Sequence, residues 1–413
     1  MILPIHRMAA SLSRGGICRI LEHFERLFPD DHMKDLVVDA MPAGREIALL
    51  GRKVVNFGSD SFLGLDADPR VQAAIIRGVE RWGTHNGSSR FFASVRVNVD
   101  AEERLARWLG TEASVIYPSV TLANLGAIPG LVGPKDIVVS DTRAHNSIGE
   151  GIKIARANGT RTFTFAHDDV ADLVRVFESA RPYRHALVAI DGVYSMTGTL
   201  PPLGELDEVC RLHDAVLYVD DAHGTGVLGE RGRGTVLDAL GSYDNVLVVG
   251  SLSKAFSAAG GFIGCPEVFQ RILKMTSNTY IFGGPVTPPY LEAVCAVLEI
   301  LDSPEYDEIK ARLDANLSQL VNGARRLGLS VMGGLTPIVS VLVGDEIDTL
   351  KAGRFLFERG YYVQSVTFPA VPYHEGVLRI QVNANHTRES IAGLLAALAE
   401  LRNFVSLARK HAG

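Results

Sequence analysis

From about residue 113 the chain alternates short, strongly apolar, β-rich runs with helix-period stretches, and nothing else in the sequence constrains the fold as much. The runs are Ala113–Tyr117, Asp136–Val139, Thr160–Phe165, Ala186–Ile190, Ala215–Val219, Asn245–Val249 and Gly261–Cys265. Between several of them lie Ile148–Ala157, Val170–Ser179 and Leu206–His213, with apolar residues three and four apart. Strand, helix, strand in this order implies an α/β fold. Its sheet is mainly parallel and covered by helices on both faces. Ligands of such sheets sit at the C-terminal ends of the strands, so the chemistry is sought there.

After about residue 290 the texture changes. Long helical stretches, Pro289–Leu301 and Tyr306–Leu327, precede the run Ile338–Val343. A helix over Thr349–Arg359 and the runs Tyr361–Val366 and Val377–Val382 follow, then a last helix with Thr387 as its N-cap. The expected organisation is an N-terminal segment of residues 1–50, a large domain of residues 51–288 and a smaller α+β domain of residues 289–413.

Composition narrows the function. With a net charge of -6 and a pI of about 6.1, no basic footprint for nucleic acid exists. No apolar run reaches the length of a membrane helix. Cys18, Cys210, Cys265 and Cys295 form no CxxC pair and read as reduced thiols of a cytoplasmic protein; no metal site is expected. Residues 1–21 carry Arg7, Arg14 and Arg19 with no acid before Glu22. Two readings fit them: a targeting segment, or a basic amphipathic helix lying on the body of the protein.

Three strand ends carry candidate chemistry. Ala215–Val219 runs into Asp220-Asp221-Ala222-His223. A carboxylate ending so apolar a strand is costly unless it meets a cation or a donor, and a protonated pyridine nitrogen is such a partner. One of the two aspartates could equally cap the following turn. The next run ends in Gly250-Ser251-Leu252-Ser253-Lys254. Small hydroxyl residues there suit a phosphate, and a lysine can carry an aldehyde cofactor as an imine. A solvated surface lysine is the commoner case, but an aspartate on a neighbouring strand end strengthens the pair. His145, after the run ending at Val139, could lie flat on a bound ring; alone, it reads as a helix cap.

These residues resemble the α-oxoamine synthases, fold-type I pyridoxal-phosphate enzymes that include the oxononanoate synthases, ketobutyrate ligases and serine palmitoyltransferases. The resemblance spans roughly residues 45–405. Its stations are Ser59-Asp60-Ser61-Phe62-Leu63-Gly64, Gly87-Ser88-Ser89-Arg90, His145, Asp191–Met196, Val219–Gly224, Ser251-Leu252-Ser253-Lys254, Leu378-Arg379 and His386-Thr387. The resemblance implies pyridoxal 5'-phosphate as cofactor, with Lys254 holding its aldehyde and later moving the substrate α-proton. It implies Asp220 on the pyridine nitrogen, His145 stacked on the ring and His223 at the ring hydroxyl. Ser195 would lie close to the ring, Ser251, Ser253, Val120 and Thr121 would hold the phosphate, and Arg379 would bind the amino-acid carboxylate.

The implied reaction is a decarboxylative condensation of glycine, alanine or serine with an acyl-CoA or acyl-carrier thioester, giving an α-amino ketone. A homodimer with active sites at the interface is expected with it. Several positions depart from the family. Asp60-Ser61-Phe62 replaces an Asn-Asp-Tyr or Tyr-Asn-Tyr pattern, Val120-Thr121 replaces a small residue followed by an aromatic, and Asn98 stands where a histidine is frequent. Gly283-Gly284 follows Tyr280-Ile281-Phe282, where a hydroxyl is usual. A non-catalytic subunit or an aminotransferase are the competing readings. Retention of Lys254, Asp220, His145 and Arg379 argues against the first, and the Asp191–Met196 stretch against the second.

Overall fold

The computed structural model describes residues 3–42, 44–334, 336–405 and 407–408, so the outermost ends of the first and last expected segments lie outside the described residues. Its centre is a seven-stranded sheet. In spatial order the strands are Ala113–Tyr117, Gly261–Cys265, Val246–Ser251, Ala215–Asp220, Ala186–Asp191, Ile137–Asp141 and Arg161–Phe165. Every residue of Ile137–Asp141, Ala186–Asp191 and Val246–Ser251 is buried. That is why these strands read as continuous apolar runs: helices cover both faces, and each large side chain buried contributes about 1.5–3 kcal/mol.

One strand departs from the alternating pattern. Gly261–Cys265 runs antiparallel to both of its neighbours. Only a short loop without a helix joins it to Val246–Ser251. A parallel return needs a crossover of a dozen residues or more, so the chain folds straight back. That loop holds Lys254. The parallel strands around it end level with one another: Asp191 lies opposite Asp220, and Asp220 opposite Val249.

A four-stranded antiparallel sheet follows, in the order Val331–Gly333, Ile338–Gly344, Gly376–Gln381 and Gln364–Val366. A third sheet joins Val38–Ala40, Glu46–Leu49 and Arg52–Asn56 to Tyr361–Tyr362. The expected single run Tyr361–Val366 is therefore two strands. Tyr361 and Tyr362 pair in parallel with Val55 and Asn56, whereas Gln364–Val366 pairs with Gly376–Gln381. A short apolar run does not reveal that its two halves serve different sheets. This crossing ties residues near 55 to the C-terminal part of the chain. In the same way the helix Pro288–Leu301 packs on Pro69–Trp82, where a Cβ at Gly78 would come within 2.6 Å of Pro289 Cα.

The basic leading segment forms two helices. Gly16–Leu27 docks through Phe24, with Phe28 just beyond it, against Leu350. Pro4–Leu12 buries no residue, so the expectation of a helix lying on the body holds for the second helix and not for the first. Among the described residues no helix is long and apolar enough to cross a membrane. All four cysteines are free.

The Gly87-Ser88-Ser89-Arg90 station has a structural partner. Arg90 forms a bidentate pair with Glu102 at 2.6 and 2.9 Å, both side chains being almost fully buried. Glu102 also accepts from the Ile116 amide and from Lys274. The pair thus pins a loop and the helix Arg96–Leu109 to the strand Ala113–Tyr117. Removing one member of such a pair leaves an uncompensated buried charge. Glu102→Ala is expected to cost about 3–5 kcal/mol in denaturant unfolding, and an unchanged midpoint would contradict this account.

Candidate active site

At the C-terminal edge of the large sheet lies a cavity of about 180 Å³. It is lined by Ser119, Val120, Thr121, His145, Asp191, Asp220, Ala222, His223, Ser251, Ser253 and Lys254. The structure therefore brings together Val120, Thr121, His145, Asp220, His223, Ser251, Ser253 and Lys254. Ser195 lines a second, larger cavity of about 570 Å³ with Thr142–Asn146, Tyr194, Met196, Thr197 and Phe368–Pro372. His145 lines both cavities. Arg379 lines neither, but its guanidinium reaches the carbonyl of Ser195 at 2.6 Å and lies 3.5 Å from His223 Nε2.

Asp220 and Asp221 part at the strand end. Asp221 turns inward, accepting from the amide and hydroxyl of Thr235 at 2.7 and 2.9 Å and so starting the helix Thr235–Leu240. Burial pushes its carboxyl up to about 7 against those hydrogen bonds. Asp221 is the structural aspartate of the pair, and Asp220 the one that faces the cavity.

Asp220 is fixed by a network that the sequence did not announce. Its Oδ2 accepts from Asn124 Nδ2 at 2.7 Å and its Oδ1 from the Ala222 amide at 3.2 Å. Tyr218 donates to Asn124 Oδ1 at 2.9 Å, which fixes the orientation of the amide. Asn124 Nδ2 also donates to Ser147 Oγ at 2.8 Å, and Ser147 Oγ lies 2.7 Å from His145 Nδ1. One amide side chain thus sets both the carboxylate and, through a hydroxyl, the imidazole. Burial pulls His145 below its ordinary range, Asp220 opposes this and Lys254 adds to it.

Asp191 is a second buried carboxyl on the adjacent strand end, accepting from the His145 amide at 2.9 Å. Burial and then the charge of Asp220 push it well above the usual carboxylate range. Burial beside a second carboxylate disfavours the charged form of Asp191.

Lys254 Nζ lies 3.3 Å from His223 Nδ1. Burial pulls the ammonium below its ordinary range; Asp60 and Asp220 hold it up, and Arg379 pushes it down. His223 is fully enclosed and held well below its ordinary range by burial, Lys254, Arg379 and His145, so it is neutral. A neutral imidazole beside a lysine of lowered basicity can accept or relay a proton.

The helix Val120–Leu131 points its N-terminus at the same cavity. Its cap Ser119 takes the Leu122 amide, and among the described residues no acceptor takes the amides of Val120 and Thr121. Ser251 and Ser253 add two hydroxyls 3.1 Å apart. Free amides at a helix N-terminus beside hydroxyls suit an anion such as a phosphate. With an amine, a carboxylate for a ring nitrogen and a flanking imidazole in the same space, the residues present fit pyridoxal phosphate.

Sequence reasoning missed Asn124, Ser119 and Gln364, and it named Asp60 and Asp191 in their motifs without giving them a role. Asp191 had a signal, since it ends a strand neighbouring Asp220; Asn124 sits in an otherwise apolar helix and had none. Of the departures, Asn98 is fully buried in the helix Arg96–Leu109 and lines neither cavity. Near Gly283 the hydroxyl of Thr279 is committed to the Leu122 carbonyl at 2.5 Å. Tyr194 donates to Asp141 at 2.9 Å and so anchors the segment that carries Ser195.

Comparison with known proteins identifies the family. Residues 52–398 match the family described as aminotransferase class I and II. The 8-amino-7-oxononanoate synthase of Geobacter sulfurreducens is 36% identical over 359 residues, which is 87% of this chain and 91% of the relative. The serine palmitoyltransferase of Bacteriovorax stolpii is 32% identical over 363 residues, 87% and 85% of the two chains. Among solved structures, the serine palmitoyltransferase of Sphingomonas wittichii superposes with a TM-score of 0.88 at 27% identity, over 94% of this chain and 97% of that one. A serine palmitoyltransferase from S. paucimobilis with bound PLP and myriocin gives the same TM-score at 26% identity, over 95% and 99%.

The enclosed position of Lys254 has a measurable consequence. Imine formation requires the neutral amine, so labelling of Lys254 by a small aldehyde with borohydride, followed against pH, is expected to have its midpoint below 10.5. A midpoint at or above that value would contradict the burial argument.

Proposed function

The chain belongs to the aminotransferase class I and II family and within it to the α-oxoamine synthases, and we propose the following assignment of its reaction to its residues. The protein condenses a small amino acid (glycine, alanine or serine) with an acyl-CoA or acyl-carrier thioester. A thiol and carbon dioxide leave, and an α-amino ketone remains. The carrying observation is that Lys254 and Asp220, on two neighbouring strand ends, meet in one cavity with the N-terminus of the helix Val120–Leu131.

Bound there, pyridoxal phosphate would supply an electron sink for negative charge at the amino-acid α-carbon. Lys254 is the residue that would hold its aldehyde, and Val120, Thr121, Ser251 and Ser253 its phosphate. Asp220, oriented by Asn124 and the Ala222 amide, would hold the proton on the ring nitrogen. His145, fixed through Ser147, would lie against the ring, and His223 would reach the ring hydroxyl. Lys254, once free, takes the α-proton; its lowered basicity lets it be neutral for that task. Arg379 would take the substrate carboxylate, close to where Ser195 adjoins the second cavity. That larger cavity, sharing His145 with the first, gives the acyl thioester room beside the amino acid.

The large domain of residues 51–288 would hold the cofactor and the smaller domain of residues 289–413 would supply Arg379. We place the protein in the cytoplasm as a homodimer whose loop at Gly283-Gly284 approaches the partner's phosphate. The test is the visible spectrum of the purified protein with pyridoxal phosphate. A cofactor band absent in Lys254→Ala and shifted by one of the three amino acids is the expected result. Its absence at saturating cofactor would overturn the assignment, and a monomer in sedimentation would overturn the dimer.

A further inference from the structure

Arg379 is not a free cation awaiting a carboxylate. Its Nε donates to the Ser195 carbonyl at 2.6 Å, one terminal nitrogen to Gln364 Oε1 at 2.8 Å, and the other to Asp60 Oδ1 at 3.2 Å. The guanidinium is almost fully buried, whereas the Asp60 side chain is 33% exposed. Gln381 Nε2 donates to the same oxygen, Asp60 Oδ1. Among the described residues Asp60 Oδ2 receives no donor. Of the charges around Lys254, Asp60 does most to hold its ammonium up against burial.

An amino-acid carboxylate bound at Arg379 would therefore share that cation with a second carboxylate. Like charges across one guanidinium weaken each other's binding, the more so in an enclosed site. A substrate that brings a hydrogen-bond donor offsets the repulsion by giving Asp60 a partner; one that brings only hydrogen or a methyl group does not. Sites built around such an acceptor favour substrates that supply the donor, because an analogue without it leaves the carboxylate only solvent as a partner.

We infer that Asp60 is a specificity-determining residue that selects a hydroxyl-bearing amino acid, serine among the three candidates, by accepting from its side chain while holding Arg379. This inference rests on the α-oxoamine synthase reading and deepens it.

The test is titration of the cofactor band of the holoprotein with glycine, alanine and serine, in the wild type and in Asp60→Asn. The asparagine keeps an acceptor for Arg379 but removes the charge. The wild type is expected to bind serine at least about tenfold more tightly than alanine or glycine, the size of one well-placed hydrogen bond. In Asp60→Asn, alanine and glycine are expected to gain affinity and the preference for serine to shrink several-fold. Equal wild-type affinities, or a serine-to-alanine ratio unchanged by the substitution, would overturn the inference while leaving the cofactor assignment intact. A wild type with no cofactor band would overturn both.

Discussion

The carboxyl group of Asp220, buried at the end of a strand covered on both faces, is the constraint around which the site is arranged. A lone carboxylate in such surroundings would shift its pKa and neutralise. Here it is held by two donors, Asn124 Nδ2 and the Ala222 amide. Asn124 is in turn oriented by Tyr218, whose ring lies in the same fully packed layer as Val115, Tyr117 and Val249. The electrostatics of the site are thus carried by core packing as much as by the cavity wall. Asp191, one strand over, is pushed above the usual carboxylate range by burial and by the charge of Asp220.

The topology then explains why lysine and aspartate meet. The parallel strands end level, so Asp191 and Asp220 reach the same edge, as does the loop after Ser251. The antiparallel return to Gly261–Cys265 keeps that loop short, and Leu252, Ala255 and Phe256 bury themselves in the core on either side of Lys254. The lysine is therefore placed by three apolar anchors. Nearby, Gly260 at φ +120 and Gly261, whose Cβ would meet the Val120 backbone at 2.6 Å, let the loop and the start of the helix Val120–Leu131 approach each other. A side chain at Gly261 would push apart the two elements that shape the cavity.

Much of this was legible in the residues. The apolar runs and their strand ends located the sheet and the edge that carries the cavity, because burial on both faces leaves an unmistakable composition. Lys254 and Asp220 followed from the polar residues ending those runs, whereas the roles of His145 and His223 came with the family resemblance. Three things were not legible. Asn124 looks like an ordinary residue of an apolar helix, since nothing local encodes a contact 96 residues away. The reversed direction of Gly261–Cys265 depends on loop length rather than on strand composition. The engagement of Arg379 by Asp60 joins sites 319 residues apart and became visible only once the two parts of the chain were folded together. Even so, the unusual Asp60 in its motif was already apparent as a departure.

The central claim is that Asp220, through the bound cofactor, makes the amino-acid α-proton removable. The most direct test follows deuterium exchange at the substrate α-carbon by NMR, with the holoprotein in heavy water and no acyl thioester present. The account predicts steady exchange in the wild type and loss of exchange by orders of magnitude in Asp220→Asn, with the cofactor band still present in both. Equal exchange rates in the two proteins, or none in a wild type that visibly holds its cofactor, would contradict it.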